Sequence, residues 1–126
     1  MGQYFRVVNL DKREWFETPL VKLWEICANN EIGVLAYLLA TNNPDGTPLA
    51  KEAIKTRNGK LKPPKWAKHF GRWCGDRIVV IGDYAEGATN YKIEPGVYPS
   101  YSELNGPTWR NITKELFEEY ERFMSL

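Results

Sequence analysis

Hydrophobic and polar positions divide the chain into apolar segments separated by turn-rich ones. Residues 3–9 form a β-branched and aromatic run, and the Asx-type turn residues at 9–12 lead to a second short run at 14–16. This pattern predicts a hairpin or a strand with a short return. Four consecutive branched aliphatics between two glycines predict a strand at about 76–82. Because this run lacks alternation, we expect the strand to lie centrally in the sheet, buried on both faces.

Three segments have helical character. Thr18-Pro19 supplies an N-cap and a first-turn proline for a helix at about 19–28. Residues 31–41 are apolar on nearly every side, which favours a buried helix, with a buried strand as the alternative because so short a run does not separate the two. The pattern at 113–124 predicts a helix capped by Thr113. Its apolar stripe includes Leu116, Tyr120 and Phe123, which we expect to dock on the sheet, and its outward face includes Glu118, Glu119 and Glu121.

The elements together predict an α+β fold, with a small mixed sheet packed against two or three helices. The chain has 126 residues, of which 43% are hydrophobic and 26% charged, as expected for one soluble domain spanning 1–126. Residues 42–70 contain many lysines, few aliphatics and several prolines, and they are interpreted as a basic, solvated loop insertion. The longest apolar stretch, 32–40, is too short to cross a membrane. We therefore expect a cytoplasmic protein with no membrane partner and no cofactor.

Charge is unevenly distributed although the net charge is only +1. Residues 51–77 contain nine Lys/Arg and two acidic residues. Cations release counterions from phosphates, and exposed aromatics stack on unpaired bases, so this segment is a candidate nucleic-acid site. In the alternative interpretation, its aromatics Trp66, Phe70 and Trp73 pin the loop to the core while the lysines keep it soluble. The candidate nucleic-acid residues are Lys60, Lys62, Lys65, Trp66, Lys68 and Arg72.

Aromatic residues are abundant, with five tryptophans and seven tyrosines. Tyr and Trp carry much of the binding energy at protein interfaces. A series in the C-terminal half could therefore form a contact surface for a protein partner or for a second copy of the chain, or alternatively a Tyr-rich core edge whose hydroxyls reach water. The series consists of Tyr84, Tyr91, Tyr98, Tyr101 and Trp109.

Metal and catalytic signals are weak. His69, Cys74 and Asp83 are the best metal-type ligands, but their spacing matches no recognised site. Asp76 and Asp83 stand at opposite ends of the predicted strand, too far apart to act as an acid/base pair. Each is more simply a strand-end cap, with Asp76 pairing Arg72 or Arg77. Cys27 and Cys74 are interpreted as two buried thiols, with a single bridge as the alternative.

Two stretches carry a resemblance. The opening Met1-Gly2-Gln3-Tyr4 with Asn9-Leu10-Asp11-Lys12, together with Gly71 to Tyr84, resembles a family of small uncharacterised proteins that begin MGQY, continue into NLDK and carry a later GRWAGDRIV…GDY segment. The chain departs from that pattern at Cys74, where the family has a small residue. Its overall style also resembles orphan proteins of viruses that infect archaea, which implies a viral protein of the host cytoplasm. Neither resemblance implies a function.

The function expected from these observations is that of a non-enzymatic binding protein, whose partner is another protein or a second copy of the same chain. Two alternatives remain open. One is a nucleic-acid-binding accessory protein that uses the basic and aromatic residues at 51–73. The other is a small enzyme or metal protein that uses the acids at the ends of the central strand together with Cys74.

Overall fold

The computed structural model describes residues 4–17, 32–83 and 99–126. The chain divides into two compact units, one formed by 1–32 with 76–113 and the other by 33–75 with 114–126. The α+β class is confirmed. The predicted helix at 19–28 lies outside the described residues, and the single-domain expectation stays a prediction. Described elements are β1 (Phe5–Asn9), β2 (Glu14–Phe16), α1 (Ile32–Leu39), β3 (Ile54–Lys55), β4 (Leu61–Lys62), β5 (Ile78–Gly82), β6 (Arg110–Asn111), α2 (Thr113–Met124), and 3₁₀ helices at Pro48–Glu52 and Ser102–Asn105.

The first unit contains a mixed four-stranded sheet in the order β5-β1-β2-β6. β1 pairs antiparallel with β2 and β5, whereas β2 pairs parallel with β6. The turn after β1 is held by Asn9, whose side-chain oxygen accepts from the N–H groups of Asp11 and Lys12 at 2.9 and 2.8 Å. This is the Asx-type turn that the sequence predicted. The predicted strand with a short return is confirmed as the β1–β2 hairpin.

The strand at 78–82 is present, but its predicted environment is wrong in two respects. Within the described residues, β5 lies at the end of the strand order, beside β1 alone, rather than at the centre. Val80 is 42% exposed, so one face of the strand is open, while Ile81 belongs to the buried cluster with Val8, Trp15 and Leu104. Branched aliphatics favour a strand whether one or both of its faces are covered, and the apolar run alone therefore did not reveal the open face.

The second unit joins α1 to the segment that precedes residue 76. The predicted helix at 31–41 is confirmed, with Tyr37 and Leu38 buried. The N–H of Gly71 donates to the carbonyl of Tyr37, and the N–H of Trp73 donates to the carbonyl of Leu38, each at 2.9 Å. These carbonyls belong to the last turn of α1, which has no intrahelical donors for them. The 71–73 backbone therefore completes the C-terminal end of α1.

The closing helix has the predicted bounds, and its buried residue Leu116 is as expected. The prediction that Glu119 points outward is wrong, because that residue is buried. At the start of the helix, the Asn111 side-chain oxygen accepts from the N–H of Thr113 at 3.0 Å and from its hydroxyl at 2.6 Å. The Thr113 hydroxyl also accepts from the N–H of Glu17 at 3.1 Å. The cap assigned to Thr113 stays a prediction. Docking of this helix on the sheet stays a prediction.

Residues 42–70 are more structured than the predicted solvated loop. They include a 3₁₀ helix at Pro48–Glu52 and the β3–β4 hairpin. Leu49, Ala67 and Phe70 are buried in this segment. A few apolar side chains spaced along a lysine-rich sequence are enough to fix it, and the composition obscured them. Within the three described ranges, no helix is both long and apolar enough to cross a membrane.

Candidate functional site

A short hairpin in the second unit forms one wall of the candidate site. β3 and β4 pair antiparallel. Across the turn, the N–H of Thr56 donates to the carbonyl of Lys60 at 2.8 Å, and the N–H of Gly59 donates to the carbonyl of Thr56 at 3.0 Å. Gly59 has φ of 77°. These features are typical of the three-residue hairpin in which the last loop residue is left-handed, a conformation that glycine adopts freely.

A groove of about 770 Å³ lies against this hairpin and opens to solvent. We call it the hairpin groove. None of its lining residues is acidic, and the cations are exposed. The lining combines three cations, two amides, one hydroxyl and two apolar side chains, namely Arg57, Lys60, Lys62, Asn42, Asn58, Thr56, Leu61 and Pro63.

The hydroxyl of Thr56 is a conspicuous polar group in this lining. Its oxygen is buried and has no hydrogen-bond partner among the described residues. Buried polar groups in native proteins are almost always paired, because an unpaired one has lost its water without gaining a substitute. The arrangement around Thr56 is therefore positively charged and has unused hydrogen-bonding capacity, which suits an anionic ligand.

The predicted nucleic-acid residues separate into two groups. Lys60 and Lys62 line the hairpin groove, whereas Lys65, Lys68 and Arg72 are exposed outside its lining. Four further polar residues of the lining were not among the predicted ones. Of these, the stretch around Asn58 carried a usable signal, because Asn-Gly between two short alternating runs is typical of a hairpin. The four polar residues that were not predicted are Asn42, Thr56, Arg57 and Asn58, and the apolar Leu61 and Pro63 complete the lining.

Trp66 is half-buried and already engaged within the second unit. The guanidinium carbon of Arg122 lies 4.2 Å from the centroid of its ring. Its indole N–H donates to Glu52 at 3.3 Å, and Glu52 also lies 3.8 Å from the Arg122 guanidinium. Phe70 and Trp73 are buried. These three aromatics fit the interpretation in which they pin the segment, rather than the one in which they stack on bases.

His69, a weak metal candidate, belongs to a buried polar cluster instead. Both its backbone N–H and its ring Nδ1 lie 2.8 Å from carboxylate oxygens of Glu119. The hydroxyl of Tyr37 donates to the same carboxylate at 2.6 Å. Burial, followed by the hydrogen bond to Glu119, raises the pKa of Tyr37, which keeps it a neutral donor. The second ring nitrogen of His69 lies 3.8 Å from Glu115.

The other two metal candidates lie apart from this cluster. Cys74 is a free, exposed thiol, so the prediction that it is buried is wrong; Cys27 lies outside the described residues. Asp83 accepts a hydrogen bond from the backbone N–H of Tyr4 at 3.2 Å. In the described ranges, no three His, Cys, Asp or Glu side chains come together in a way that could hold a metal ion.

The acids assigned to the alternative enzyme site have structural contacts. One carboxylate oxygen of Asp76 accepts from the Asn9 amide at 2.8 Å and from the Lys12 ammonium at 2.6 Å. The predicted pairing of Asp76 with Arg72 or Arg77 is wrong, because Asp76 pairs with Lys12 and Arg77 pairs with Asp11 at 2.9 Å. Asp76 and Asp83 thus hold the ends of β5, as in the capping interpretation.

Of the five residues in the predicted aromatic contact surface, two lie within the described residues. Tyr84, Tyr91 and Tyr98 lie outside the described residues. Tyr101 and Trp109 are partly buried and pack against the core cluster of the first unit. Arg6 stacks on the ring of Tyr101, with its guanidinium carbon 3.9 Å from the centroid. These two side chains fit a core edge, and the protein-partner surface stays a prediction.

Comparison with known proteins adds no family to this picture. No protein-family model, curated protein or solved structure matches the chain. The resemblance to the MGQY…NLDK proteins and to viral orphan proteins stays a prediction.

Proposed function

We propose that this protein binds nucleic acid through the phosphate backbone, using the hairpin groove as the principal contact. The observation that carries the proposal is the lining of the groove, in which Arg57, Lys60 and Lys62 come together without an acidic residue. Cations placed in this way neutralise phosphates and release their condensed counterions, which is the main source of affinity in sequence-independent binding.

The charge of the second unit supports the same function. Residues 33–75 and 114–126 contain ten Lys/Arg and six Asp/Glu, although the whole chain is nearly neutral. Lys65 and Lys68 are exposed and form no ion pair within the described ranges. Such lysines extend the positive potential beyond the groove and accelerate encounter with a polyanion.

The engaged aromatics define what kind of binding this is. Trp66 is covered on one face by Arg122, and Phe70 and Trp73 are buried, so base stacking contributes little. Flexible lysines that contact phosphates do not distinguish sequences. The protein is thus a sequence-independent binder with a strong dependence on salt, and not a reader of base identity.

The test is fluorescence polarisation of a labelled single-stranded oligonucleotide over a salt series. The variant Lys60→Gln/Lys62→Gln is compared with Lys51→Gln/Lys114→Gln, which removes the same charge from exposed positions outside the groove. We expect the groove variant to bind about tenfold more weakly and to lose about 0.7 from the salt slope for each phosphate contact. The control should change affinity much less. Equal losses in both variants, or no binding at low salt, would refute the proposal.

A further inference from the structure

The buried hydroxyl of Thr56 indicates what part of a nucleic acid the hairpin groove receives. The residue lines the groove, yet its oxygen is enclosed and has no partner in the described ranges. The N–H and carbonyl of Thr56 are both used in the hairpin, at 2.8 and 3.0 Å. The side-chain hydroxyl is therefore the part of this residue with hydrogen-bonding capacity to spare. Because that oxygen is enclosed, χ1 of Thr56 must turn to another staggered rotamer before the hydroxyl bonds a ligand in the groove.

The neighbours of Thr56 match a phosphoryl group. Arg57 carries a planar guanidinium that bonds two phosphate oxygens at once, and Lys60 and Lys62 add point charges. Asn42 and Asn58 supply amide donors and acceptors of the kind that contact a sugar or a base edge. The volume of about 770 Å³ falls within the range of small-molecule sites. It exceeds what a phosphate alone requires and suits a whole nucleotide.

We infer that the hairpin groove binds a nucleotide that carries a phosphomonoester, either at the end of a nucleic-acid strand or as a free nucleoside phosphate. A phosphomonoester has a charge of about −1.5 to −2 and three terminal oxygens. An internal phosphodiester has a single charge and two such oxygens. Three cations and a hydroxyl with spare capacity match the first more fully than the second. The inference rests on the proposed function where the nucleotide is the end of a strand.

The experiment compares three oligonucleotides of one sequence, which carry a 5′-phosphate, a 3′-phosphate or hydroxyls at both ends, with free inorganic phosphate and a nucleoside monophosphate as competitors. We expect one phosphorylated oligonucleotide to bind about tenfold more tightly than the hydroxyl form, as one extra charge-assisted hydrogen bond provides. An excess of free nucleoside monophosphate should reduce the affinity of the phosphorylated oligonucleotide to that of the hydroxyl form, and should leave the affinity of the hydroxyl form unchanged. Competition by the nucleotide but not by inorganic phosphate shows that the sugar or base is contacted as well.

The matched variants are Thr56→Val and Thr41→Val, which make the same isosteric change inside the lining and at an exposed position outside it. Thr56→Val should weaken binding of the phosphorylated oligonucleotide about tenfold more than it weakens binding of the hydroxyl form, so that the preference for the phosphorylated end is abolished. Its melting temperature should not fall, because the change removes an unpaired buried hydroxyl. Thr41→Val should keep the preference. A lower melting temperature together with an unchanged preference would overturn the inference, because the hydroxyl would then have a structural role.

The remaining outcomes separate the two proposals. Equal, salt-dependent binding of all three oligonucleotides overturns the phosphomonoester site and leaves the proposed function standing. If no oligonucleotide binds, the proposed function fails. In that case, nucleoside monophosphate is titrated while the backbone amide signals of residues 56–60 are followed by NMR. Saturable shifts there support the site for free nucleotides, and unmoved signals overturn it too.

Discussion

His69 presents two groups to one side chain, since its backbone N–H and its ring Nδ1 each lie 2.8 Å from a different oxygen of the Glu119 carboxylate. The Glu119 carboxylate therefore holds the segment at 66–70 through both the backbone and the side chain of one residue, His69. Tyr37 supplies a further hydrogen bond at 2.6 Å. Carboxylate oxygens accept hydrogen bonds, so all three groups act as donors to Glu119, and Nδ1 is the donating nitrogen of the His69 ring.

Glu119→Gln should therefore destabilise the protein by about 1–3 kcal/mol, because the amide places an N–H where a donor now meets an acceptor. The measurement is urea-induced unfolding followed by circular dichroism. Glu118→Gln makes the same change at an exposed neighbour on the same helix, and it should alter the free energy of unfolding by less than about 0.5 kcal/mol. Equal effects of the two variants would show that the buried cluster contributes nothing specific to stability.

Position 71 requires glycine for two reasons, its left-handed backbone conformation and the close approach of the Ala40 backbone. Gly71 has φ of +72°, and a Cβ there would lie 2.6 Å from the carbonyl oxygen of Ala40. Gly75 has φ of +82° but nothing within 4 Å of a Cβ, so it is a control for conformation alone. Gly75→Ala should cost about 1–2 kcal/mol, and Gly71→Ala should cost a further 1–3 kcal/mol or so for the crowding. Thermal unfolding of both variants checks the difference, and equal destabilisation would contradict the close approach.

The open face of β5 makes a prediction about substitution. Val80→Asp places a carboxylate at a position that is 42% exposed, and we expect a folded protein destabilised by about 1 kcal/mol. Val8→Asp buries the same group at a fully enclosed position on β1. That costs several kcal/mol of a total stability of roughly 5–15 kcal/mol and should unfold the unit. Unfolding by Val80→Asp would mean that both faces of β5 are covered.

Acid should weaken the first unit through Asp11 and Asp76. Burial raises the pKa of Asp76, but the hydrogen bonds from Asn9 and Lys12 outweigh burial and leave the pKa lowered. The hydrogen bond from the Arg77 backbone N–H is the main cause that lowers the pKa of Asp11. Because both folded-state pKa values lie below the usual 3.8, the stabilisation is present above that pH and is lost as the pH falls through the lower folded values.

The measurement is the free energy of unfolding between about pH 6 and pH 2. Asp76→Asn should lower the free energy of unfolding near pH 6 and reduce the further decrease in that free energy as the pH falls. Asp45→Asn, at an exposed position, should leave the profile unchanged. If the Asp76→Asn profile runs parallel to that of the unmodified protein, then Asp76 is not linked to acid unfolding.

Elements whose signals are local could be predicted from the sequence. The helix at 113–124 and the turn at 9–12 are set by periodicity and by Asx chemistry within a few residues, and both were predicted correctly. The burial of Glu119 could not be predicted, because its compensating donors lie 50 and 82 positions away. Composition hid the hairpin at 54–62, although Asn58-Gly59 marked its turn. The groove also requires Asn42 to lie beside residues 56–63. This contact joins distant parts of the sequence, and local residue spacing does not reveal it.

The sheet of the first unit also constrains how the chain can fold during its synthesis. β1 and β5 are separated by about 70 positions, and β6 pairs with β2 from nearly the opposite part of the chain, with Asn111 opposite Trp15. The sheet therefore cannot be completed until the ribosome has passed residue 111. Until β5 and then β6 have been synthesised, the first hairpin lacks one or both of its partner strands and is exposed to aggregation and to chaperones. Pairing of distant strands loses the entropy of closing a large loop before favourable contacts form. The rate-limiting step of folding should therefore be the joining of distant segments rather than the formation of either hairpin.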